Sequence, residues 1–292
     1  MRAIVLGSAA GGGFPQWNCA CANCSAVRAN EPGFVARTQD SIAFGDTRFL
    51  LVNASPDVHA QIRTAPALWP RGPRHTPIGA VVLTNGDLDH VLGLFSLRES
   101  QPLAVYATPA VWRGIEESAF VRTLRRFEGQ LVKRELALGE TVAVSDARGE
   151  PLGIAMKTIA LPGKAPVHSR AAASEEDNIG LVLSESGGPT LAYAAACGSL
   201  DGVDLAGHAA LLFDGTFFTE DELVRQGLGE KRAKDMAHVP IRDSLAKLRF
   251  AGRRIYTHVN NTNPILAPSS EERRAVLAAG WEIAHDGMEI EL

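Results

Sequence analysis

The chain has 292 residues, a formal net charge of −4 with neutral histidines, and 46% hydrophobic against 21% charged side chains. This is the composition of a globular protein that buries one large core or two modest ones. It excludes two classes of function, because no lysine and arginine cluster is dense enough to bind nucleic acid and no segment approaches the ~18 apolar residues needed for membrane insertion.

The first predicted strand leads into a glycine-rich segment. "RAIVLGS" is typical of a buried strand, and "GSAAGGG" overlaps its end. These glycines lack the G-x-G-x-x-G spacing and no helix is predicted after them, so a dinucleotide site is not favoured. The amino terminus also lacks the long apolar run of a signal peptide. We therefore expect a cytoplasmic protein whose thiols stay reduced.

Three of the four cysteines lie together in "NCACANC", at Cys19, Cys21 and Cys24, whereas Cys197 stands alone. In a reducing compartment such a cluster is more often a metal site than a disulfide framework. Three thiolates this close suit tetrahedral zinc, with a fourth ligand from elsewhere in the chain. An iron–sulfur cluster is the alternative, and it would need Cys197 as the fourth thiolate. The glycine, proline and asparagine residues around the cluster predict a loop.

Strand and helix patterns alternate through the middle of the chain. "SIAFGD" and "TRFLLVNAS" predict a hairpin around Gly45 and Asp46, and "GAVVLT" predicts a buried strand. Helical spacing follows in "HVLGLFSLRE" and again in "PAVWRGIEESAF", after the strand "PLAVYAT". Pro109 marks the start of that second helix. Short strands are predicted over residues 131–163, and "VHSRAAASEED" after them is predicted to be a loop.

The carboxy-terminal part continues with the strand patterns "NIGLVLSE", "TLAYAAA" and "AALLFDGTFF". It ends with the helix "IRDSLAKLRFA", the strand "RIYTHV", the helix "SSEERRAVLAAG" and the strand "WEIAHDG". No segment has the composition of an interdomain linker. We therefore predict a single domain over residues 1–292, with two β-rich halves that are each closed by helices.

Polar side chains suited to a metal follow three of these strands. "TNGDLDH" places Asp89 and His90 after "GAVVL", "FDGT" places Asp214 at a strand end, and "YTHV" places His258 at another. Side chains from the ends of several strands are how a sheet gathers a site from distant parts of a sequence. The alternative remains open that each residue is structural, since an aspartate before a helix is usually an N-cap.

These motifs resemble three related groups of proteins. A strand followed by Asp-His and a helix resembles the metallo-β-lactamase superfamily, whose motif is His-x-His-x-Asp-His, with Asn85 and Asp87 in place of two histidines. The cysteine cluster resembles a phosphodiesterase branch with a structural zinc. The segments "GSAAGGGFPQWNCACANC", "NASPD", "TNGDLDH", "LLFDGTFFTEDEL", "AHVPI" and "HVNNTNPIL" closely resemble the pyrroloquinoline quinone (PQQ) biosynthesis protein B family.

The resemblance implies an αββα sandwich, in which two mixed β-sheets are flanked by helices. It implies a structural Zn(II), an active-site Fe(II), and an O₂-dependent hydroxylation of the tyrosine ring in a Glu–Tyr-derived PQQ precursor. The precursor and O₂ would be the partners, with no nucleic acid. The alternative function is a non-catalytic carrier that helps PQQ or its precursor reach the periplasm. A homodimer stays open beside a monomer.

The resemblance also assigns an active-site metal to Asp89, His90 and His258. Two histidines and one carboxylate are the facial triad of non-heme Fe(II) oxygenases, which leaves positions open for O₂ and substrate. A dinuclear zinc hydrolase would need more imidazoles and a bridging carboxylate, where this chain has Ala196 or Cys197. Asp87 is a further candidate, as a ligand or as an outer partner.

Three more residues take roles from the same resemblance. His238, in "MAHVPI", matches a phosphodiesterase histidine and is assigned to acid or base catalysis, with a helix-capping role as the alternative. Asp214 is assigned to the active site, where it orients His258 or adds a ligand. Asn261 stands where the phosphodiesterases have the fourth zinc ligand, a histidine. Because an amide is a weak zinc ligand, another side chain or water is the alternative there.

Overall fold

Fourteen strands form the frame of the protein in the part of the chain that the structure describes. The structure is a computed structural model that describes residues 1–166, 168, 172–185 and 187–292. The strands are β1 (Arg2–Gly7), β2 (Ser41–Gly45), β3 (Phe49–Val52), β4 (Ile78–Val82), β5 (Leu103–Ala107), β6 (Leu131–Glu135), β7 (Thr141–Ser145), β8 (Pro151–Ala160), β9 (Ile179–Glu185), β10 (Thr190–Ala194), β11 (Ala210–Asp214), β12 (Arg253–Thr257), β13 (Glu282–Ile283) and β14 (Glu289–Glu291).

Eight α-helices lie between these strands in the described residues. They are α1 (Ala22–Arg28), α2 (Val58–Thr64), α3 (Leu88–Val91), α4 (Pro109–Ile115), α5 (Ala119–Leu124), α6 (Glu222–Arg225), α7 (Ile241–Lys247) and α8 (Glu271–Ala278). Short 3₁₀ turns lie at Pro66–Leu68, Leu92–Leu97, Glu175–Asp177, Lys234–Met236 and Pro264–Leu266. None of the described helices has the length and hydrophobicity that crossing a bilayer requires.

The strands pair into two seven-stranded sheets of similar design. The first has the order β14-β1-β2-β3-β4-β5-β6, and the second has the order β13-β12-β11-β10-β9-β8-β7. The first sheet is parallel from β3 to β6 and antiparallel elsewhere. The second is parallel from β10 to β13 and antiparallel from β7 to β10. Both are therefore mixed sheets, as predicted.

Side-chain alternation explains the layers. Alternate residues of the two sheets, such as Phe44 and Leu183, meet in a shared core between them. The opposite side chains of the first sheet pack under α4, which carries Val111 and Trp112. Those of the second sheet pack under α8, which carries Val276. Burying a Val, Leu or Phe side chain completely stabilises the folded state by about 1.5–3 kcal/mol. The result is the four-layered αββα arrangement.

Three expectations about local structure were wrong. The cysteine cluster is not all loop, because Cys24 lies within α1. "PAVWRGIEESAF" forms two helices instead of one, since the Ser118 hydroxyl accepts the Val121 N–H and starts α5. The helix after "TNGDLDH" becomes a 3₁₀ turn, because the Gly93 N–H donates to the Ala54 carbonyl at 2.8 Å.

The predicted loop "VHSRAAASEED" falls partly on residues 167 and 169–171, which lie outside the described residues. At its carboxy-terminal end, Glu175–Asp177 forms a 3₁₀ turn. The Ser174 hydroxyl caps this turn by accepting the Glu176 N–H at 3.2 Å, and the Asp177 carboxylate accepts the Ser174 N–H at 2.7 Å. The described end of the segment is therefore a capped turn that leads into β9.

Candidate functional site

The predicted site residues lie at the carboxyl ends of parallel strands from both sheets. β4 leads into the segment that carries Asp89 and His90, β11 ends at Asp214, and β12 leads directly to His258. Helix dipoles and loops converge at such strand ends, so ligands commonly bind there. His258 itself has a left-handed backbone, with φ 54°, which a non-glycine residue adopts only where its surroundings hold it.

One group at these ends consists of Asp89, His90 and His258. One ligand atom from each lies within 4.8 Å of the others. The His258 Nε2 lies 3.3 Å and the His90 Nε2 lies 3.7 Å from the same oxygen, Asp89 Oδ2. The buried His90 Nε2 has no hydrogen-bond partner among the described residues. Three donor atoms, one of them unsatisfied, therefore face a common point.

The charges in this group reinforce one another. Burial opposes ionisation of Asp89, but the neighbouring His90 and His258 outweigh it and hold the pKa of that carboxyl well below its usual value. Burial likewise opposes a charge on His258, but the hydrogen bond and charge of Asp89 outweigh it and raise the pKa of His258 to about 9. A buried anion that attracts positive charge is a suitable environment for a cation.

Asn85 and Asp87, in the two unusual positions of the motif, have structural contacts. The Asn85 Oδ1 accepts the Asp87 N–H at 3.0 Å, and its Nδ2 lies 3.4 Å from Asn178 Oδ1. Asp87 is the N-cap residue of α3, although its side chain makes no capping hydrogen bond. Asp87 belongs to no group of metal-ligating side chains in the described structure. The structure therefore does not bring the Asp87 carboxylate into the site.

The second group contains His238 and Asp214 and shares His258. The His238 Nδ1 lies 2.7 Å from Asp214 Oδ2, and the His238 ring stacks on the His258 ring with centroids 5.5 Å apart. Burial opposes ionisation of Asp214, but the charge of His238 outweighs it and lowers the pKa of the carboxyl. Asp214 also accepts the N–H groups of Cys197 and Thr216. One ligand atom from each of Asp214, His238 and His258 lies within 4.8 Å of the others, but these hydrogen bonds already occupy both oxygens of Asp214.

Two threonines that were not predicted as site residues contact the two histidines of the Asp89 group. The Thr84 Oγ1 lies 3.4 Å from His90 Nδ1, and the Thr216 Oγ1 lies 2.9 Å from His258 Nδ1. Thr84 follows the last residue of β4 by two positions, and Thr216 follows the last residue of β11 by the same interval. Both threonines could have been predicted as site residues, because each is a polar residue just after a buried strand and within one of the motifs "TNGDLDH" and "LLFDGTFFTEDEL".

The cysteine cluster forms a separate group. The sulfur atoms of Cys19, Cys21 and Cys24 lie within 4.8 Å of one another. The Asn261 Nδ2 lies 3.2 Å, 3.7 Å and 3.4 Å from these sulfurs in that order, so Asn261 is at the position expected for it. Burial, with the neighbouring thiols, raises the pKa of Cys21 to about 11. Gathering three thiols here is favourable once a cation neutralises their thiolates.

The glycine-rich segment connects the Asp89 group to the cysteine cluster. A Cβ placed on Gly11 would lie 3.3 Å from Asp89 Oδ2, so this segment forms one side of the Asp89 site. The Ala10 N–H donates to the Val259 carbonyl at 3.0 Å, and the Val259 N–H donates to the Ser8 carbonyl at 2.8 Å. These bonds hold the residue after His258 against the segment that leads to the cysteines.

The resemblance places the bridging carboxylate of the dinuclear hydrolases at Ala196 or Cys197, and neither residue has a carboxylate side chain. Cys197 is buried there, and burial together with Asp214 raises the pKa of its thiol to about 12. Its Sγ lies 3.0 Å from the Ser199 carbonyl oxygen. The neighbouring Ala196 carbonyl accepts the Asn178 Nδ2 at 2.9 Å. A neutral thiol in this position is a poor metal ligand.

The Asp89 group and the cysteine cluster both have the donor chemistry of a metal site. The unsatisfied His90 Nε2 beside two further donors fits a mononuclear cation that keeps open positions. Three sulfurs around one amide fit a closed, thiolate-rich structural site. Thiolates favour zinc, whereas two imidazoles with a carboxylate accept iron, manganese or zinc.

Comparisons with known proteins agree with this geometry. The profile of the Beta-lactamase superfamily domain matches residues 48–259. The chain is 44% identical to coenzyme PQQ synthesis protein B of Methylobacterium nodulans, over 100% of both chains. It is similar to the crystal structure of Zn²⁺-bound PqqB from Methylobacterium extorquens, with a TM-score of 0.91, 40% identity and 100% of each chain covered.

A more distant structure shares the fold alone. A diphosphatase of the PhnP family is 21% identical, with a TM-score of 0.67 over 100% of this chain and 97% of the other. The predicted sandwich of two mixed sheets between helices is confirmed, and so is the predicted family. The chain belongs to the coenzyme PQQ synthesis protein B family, within the metallo-β-lactamase superfamily.

Proposed function

We propose that this protein acts in PQQ biosynthesis as an Fe(II)- and O₂-dependent hydroxylase of the tyrosine ring in a Glu–Tyr-derived precursor. Its relatives carry the name coenzyme PQQ synthesis protein B, which supports the pathway. In the reaction, one oxygen atom of O₂ replaces an aromatic hydrogen as a hydroxyl group. The other oxygen atom leaves as water, with two electrons and two protons from an external two-electron reductant.

The observation that carries the proposal is the composition of the ligand group. Asp89, His90 and His258 bring two imidazoles and one carboxylate together, and the unpartnered His90 Nε2 faces the others. At the two positions where the hydrolase motif has further histidines, Asn85 holds a turn and Asp87 lies outside the group. This favours one metal with open positions over the two-metal arrangement of a hydrolase.

Bound iron would supply the redox chemistry that lets O₂ react. The chain's own residues hold the metal and manage protons beside it. Asp214 is buried and accepts from the His238 ring at 2.7 Å, which fixes the ring against His258. With His238 Nδ1 held in this way, Nε2 is the ring atom that exchanges a proton with the substrate.

His238→Ala is expected to lower turnover by roughly 10²–10⁴-fold, the usual contribution of a positioned acid or base. Metal content at the Asp89 site is expected to stay at the wild-type level, because the His238 Nδ1 already bonds Asp214. Steady-state kinetics and metal analysis of the same preparations check both points. Loss of the metal would identify His238 as a ligand, and unchanged turnover would leave it a structural role only.

Oxygen consumption tests the proposed reaction directly. Protein purified without air and loaded with Fe(II) is mixed with a crosslinked Glu–Tyr compound, a two-electron reductant and ¹⁸O₂. We expect stoichiometric oxygen uptake and one ¹⁸O atom in the product ring. The Zn(II)-loaded protein is the matched control, since zinc binds the same donors but has no redox chemistry.

The same experiment separates the competing functions. A carrier would bind the compound with the same affinity in both metal forms and consume no oxygen. A hydrolase would release a fragment from the zinc form without O₂. Either result would contradict the proposed hydroxylation, while oxygen uptake by the iron form alone would support it.

A further inference from the structure

We propose that Thr84 and Thr216 are positioning residues that fix the ring protons of the two ligand histidines, so that each ring presents Nε2 to the metal. This inference rests on the metal site proposed above. Each threonine is buried, with 3% of Thr84 and 2% of Thr216 exposed. The Thr84 hydroxyl lies against the His90 Nδ1, and the Thr216 hydroxyl lies against the Nδ1 atoms of both His258 and His238.

The hydrogen bonds of Thr216 determine the direction of its contact with His258. The Asp214 Oδ1 lies 3.0 Å from the Thr216 N–H and 2.7 Å from the Thr216 hydroxyl. Each oxygen of this carboxyl group already accepts a backbone N–H, so the Thr216 hydroxyl donates its single proton to Oδ1. The Thr216 oxygen can therefore only accept from the ring N–H groups beside it, which are the His258 Nδ1 at 2.9 Å and the His238 Nδ1 at 3.1 Å. The proton of His258 is held on Nδ1.

The same logic applies to Thr84 in the other sheet. The Thr84 N–H can only donate, so the side-chain atom of Asn53 that lies 3.0 Å from it must be the oxygen Oδ1. That oxygen also lies 3.0 Å from the Thr84 hydroxyl and carries no hydrogen, so the hydroxyl donates to it. The Thr84 oxygen then accepts from the His90 Nδ1 at 3.4 Å, a longer and weaker bond.

The Asn53 amide is itself held by a buried chain of partners. Its Nδ2 donates to the Tyr193 hydroxyl at 3.2 Å, and the Tyr193 hydroxyl donates to Asp40. Burial and the negative charge of Asp40 raise the pKa of Tyr193 well above its usual value, so its proton stays in place. Thr84 therefore cannot reverse its hydrogen bonds without breaking this chain.

A proton fixed on Nδ1 leaves the Nε2 lone pair for the metal. The unpartnered state of His90 Nε2 agrees with this arrangement. The two threonines have the same hydrogen-bond pattern, because the backbone N–H and the hydroxyl of each donate to one shared oxygen. Outer partners of metal-bound histidines contribute roughly 10–100-fold to metal affinity, and these hydroxyls are expected to do the same.

The test removes each hydroxyl with little change of shape. Thr216→Val is expected to weaken Mn(II) binding by roughly 10–100-fold, measured from free Mn(II) in electron paramagnetic resonance. Mn(II) is the probe because thiolates bind it poorly, so the cysteine cluster does not interfere. Thr84→Val is expected to weaken binding by less, in line with its longer contact. Thr216→Ser keeps the hydroxyl and is expected to restore affinity to within a few-fold of wild type.

Thr158→Val is the matched control. Thr158 is as buried, at 1% exposed, and its hydroxyl donates to the Ala137 carbonyl at 2.7 Å, far along the chain from the site. This variant is expected to lose stability but bind Mn(II) like wild type.

A spectroscopic measurement adds a readout that does not depend on affinity. In Zn(II)-saturated protein labelled with ¹⁵N-histidine, His258 is expected to show a slowly exchanging Nδ1–H that disappears in Thr216→Val and returns in Thr216→Ser. Wild-type affinity and an unchanged Nδ1–H signal in Thr216→Val would overturn the inference and leave the metal site intact. Equal losses in Thr216→Val and Thr216→Ser would also overturn it. Failure of the wild-type protein to bind Mn(II) would overturn the proposed site first.

Discussion

His90→Ala is expected to abolish metal binding at the Asp89 site and, with it, oxygen-dependent turnover. His90 is one of the three proposed ligands, and its buried Nε2 has no hydrogen-bond partner in the described structure. Losing a direct ligand should weaken binding by more than the roughly 10–100-fold that an outer partner contributes. Mn(II) titration and turnover of the Fe(II)-loaded protein measure the two effects.

Asn85→Ala is the control within the same motif. The Asn85 amide oxygen accepts the Asp87 N–H at 3.0 Å, so its removal should loosen a turn and change metal affinity by at most a few-fold. Zinc at the cysteine cluster reports on folding, because it should stay at one equivalent in both variants. A His90→Ala protein that retains full affinity would remove His90 from the site, and a severe loss in Asn85→Ala would make Asn85 a ligand.

The strands and the strand-end positions of the site were predictable because short-range patterns encode them. Continuous burial in β4 gives an unbroken apolar run, and the alternation in β8 gives a period of two. Strand pairing was not predictable to the same degree. β14 pairs with β1 across the whole chain, with Ala3 opposite Ile290, and no local pattern near either strand indicates this partnership.

The strand-end positions of the candidate ligands could be predicted from the sequence, whereas the residues that contact these ligands could not. Asp89, His90 and His258 stand out by residue type after a strand. The role of Thr84 depends on Asn53, which lies 31 positions away and comes close only because β3 and β4 pair in parallel. The contact of Asn261 with the cysteines was expected from the resemblance, whereas the helical position of Cys24 was not.

Cys21→Ser is expected to empty the cysteine cluster of zinc and to destabilise the protein. Structural zinc contributes directly to folding, and loss of a metal is among the few changes that cost about 4 kcal/mol or more. Hydrogen bonds beside the cluster connect the cysteine segment to residues 261–263 and to Gly215. The Asn23 Nδ2 donates to the carbonyls of Asn261 at 3.1 Å and Asn263 at 2.9 Å, while the Asn263 Nδ2 donates to Gly215 at 2.9 Å.

Asn261 follows His258 by three residues, but the cysteine cluster and the Asp89 group share no side chain in the described structure. The fraction of Cys21→Ser that stays folded is therefore expected to keep metal at the Asp89 site. Zinc content by mass spectrometry and urea unfolding measure the two effects. Cys197→Ser is the matched control, because Cys197 lies outside the cluster and its loss should leave one zinc in place. Unchanged zinc in Cys21→Ser would show that these three cysteines do not form a metal site.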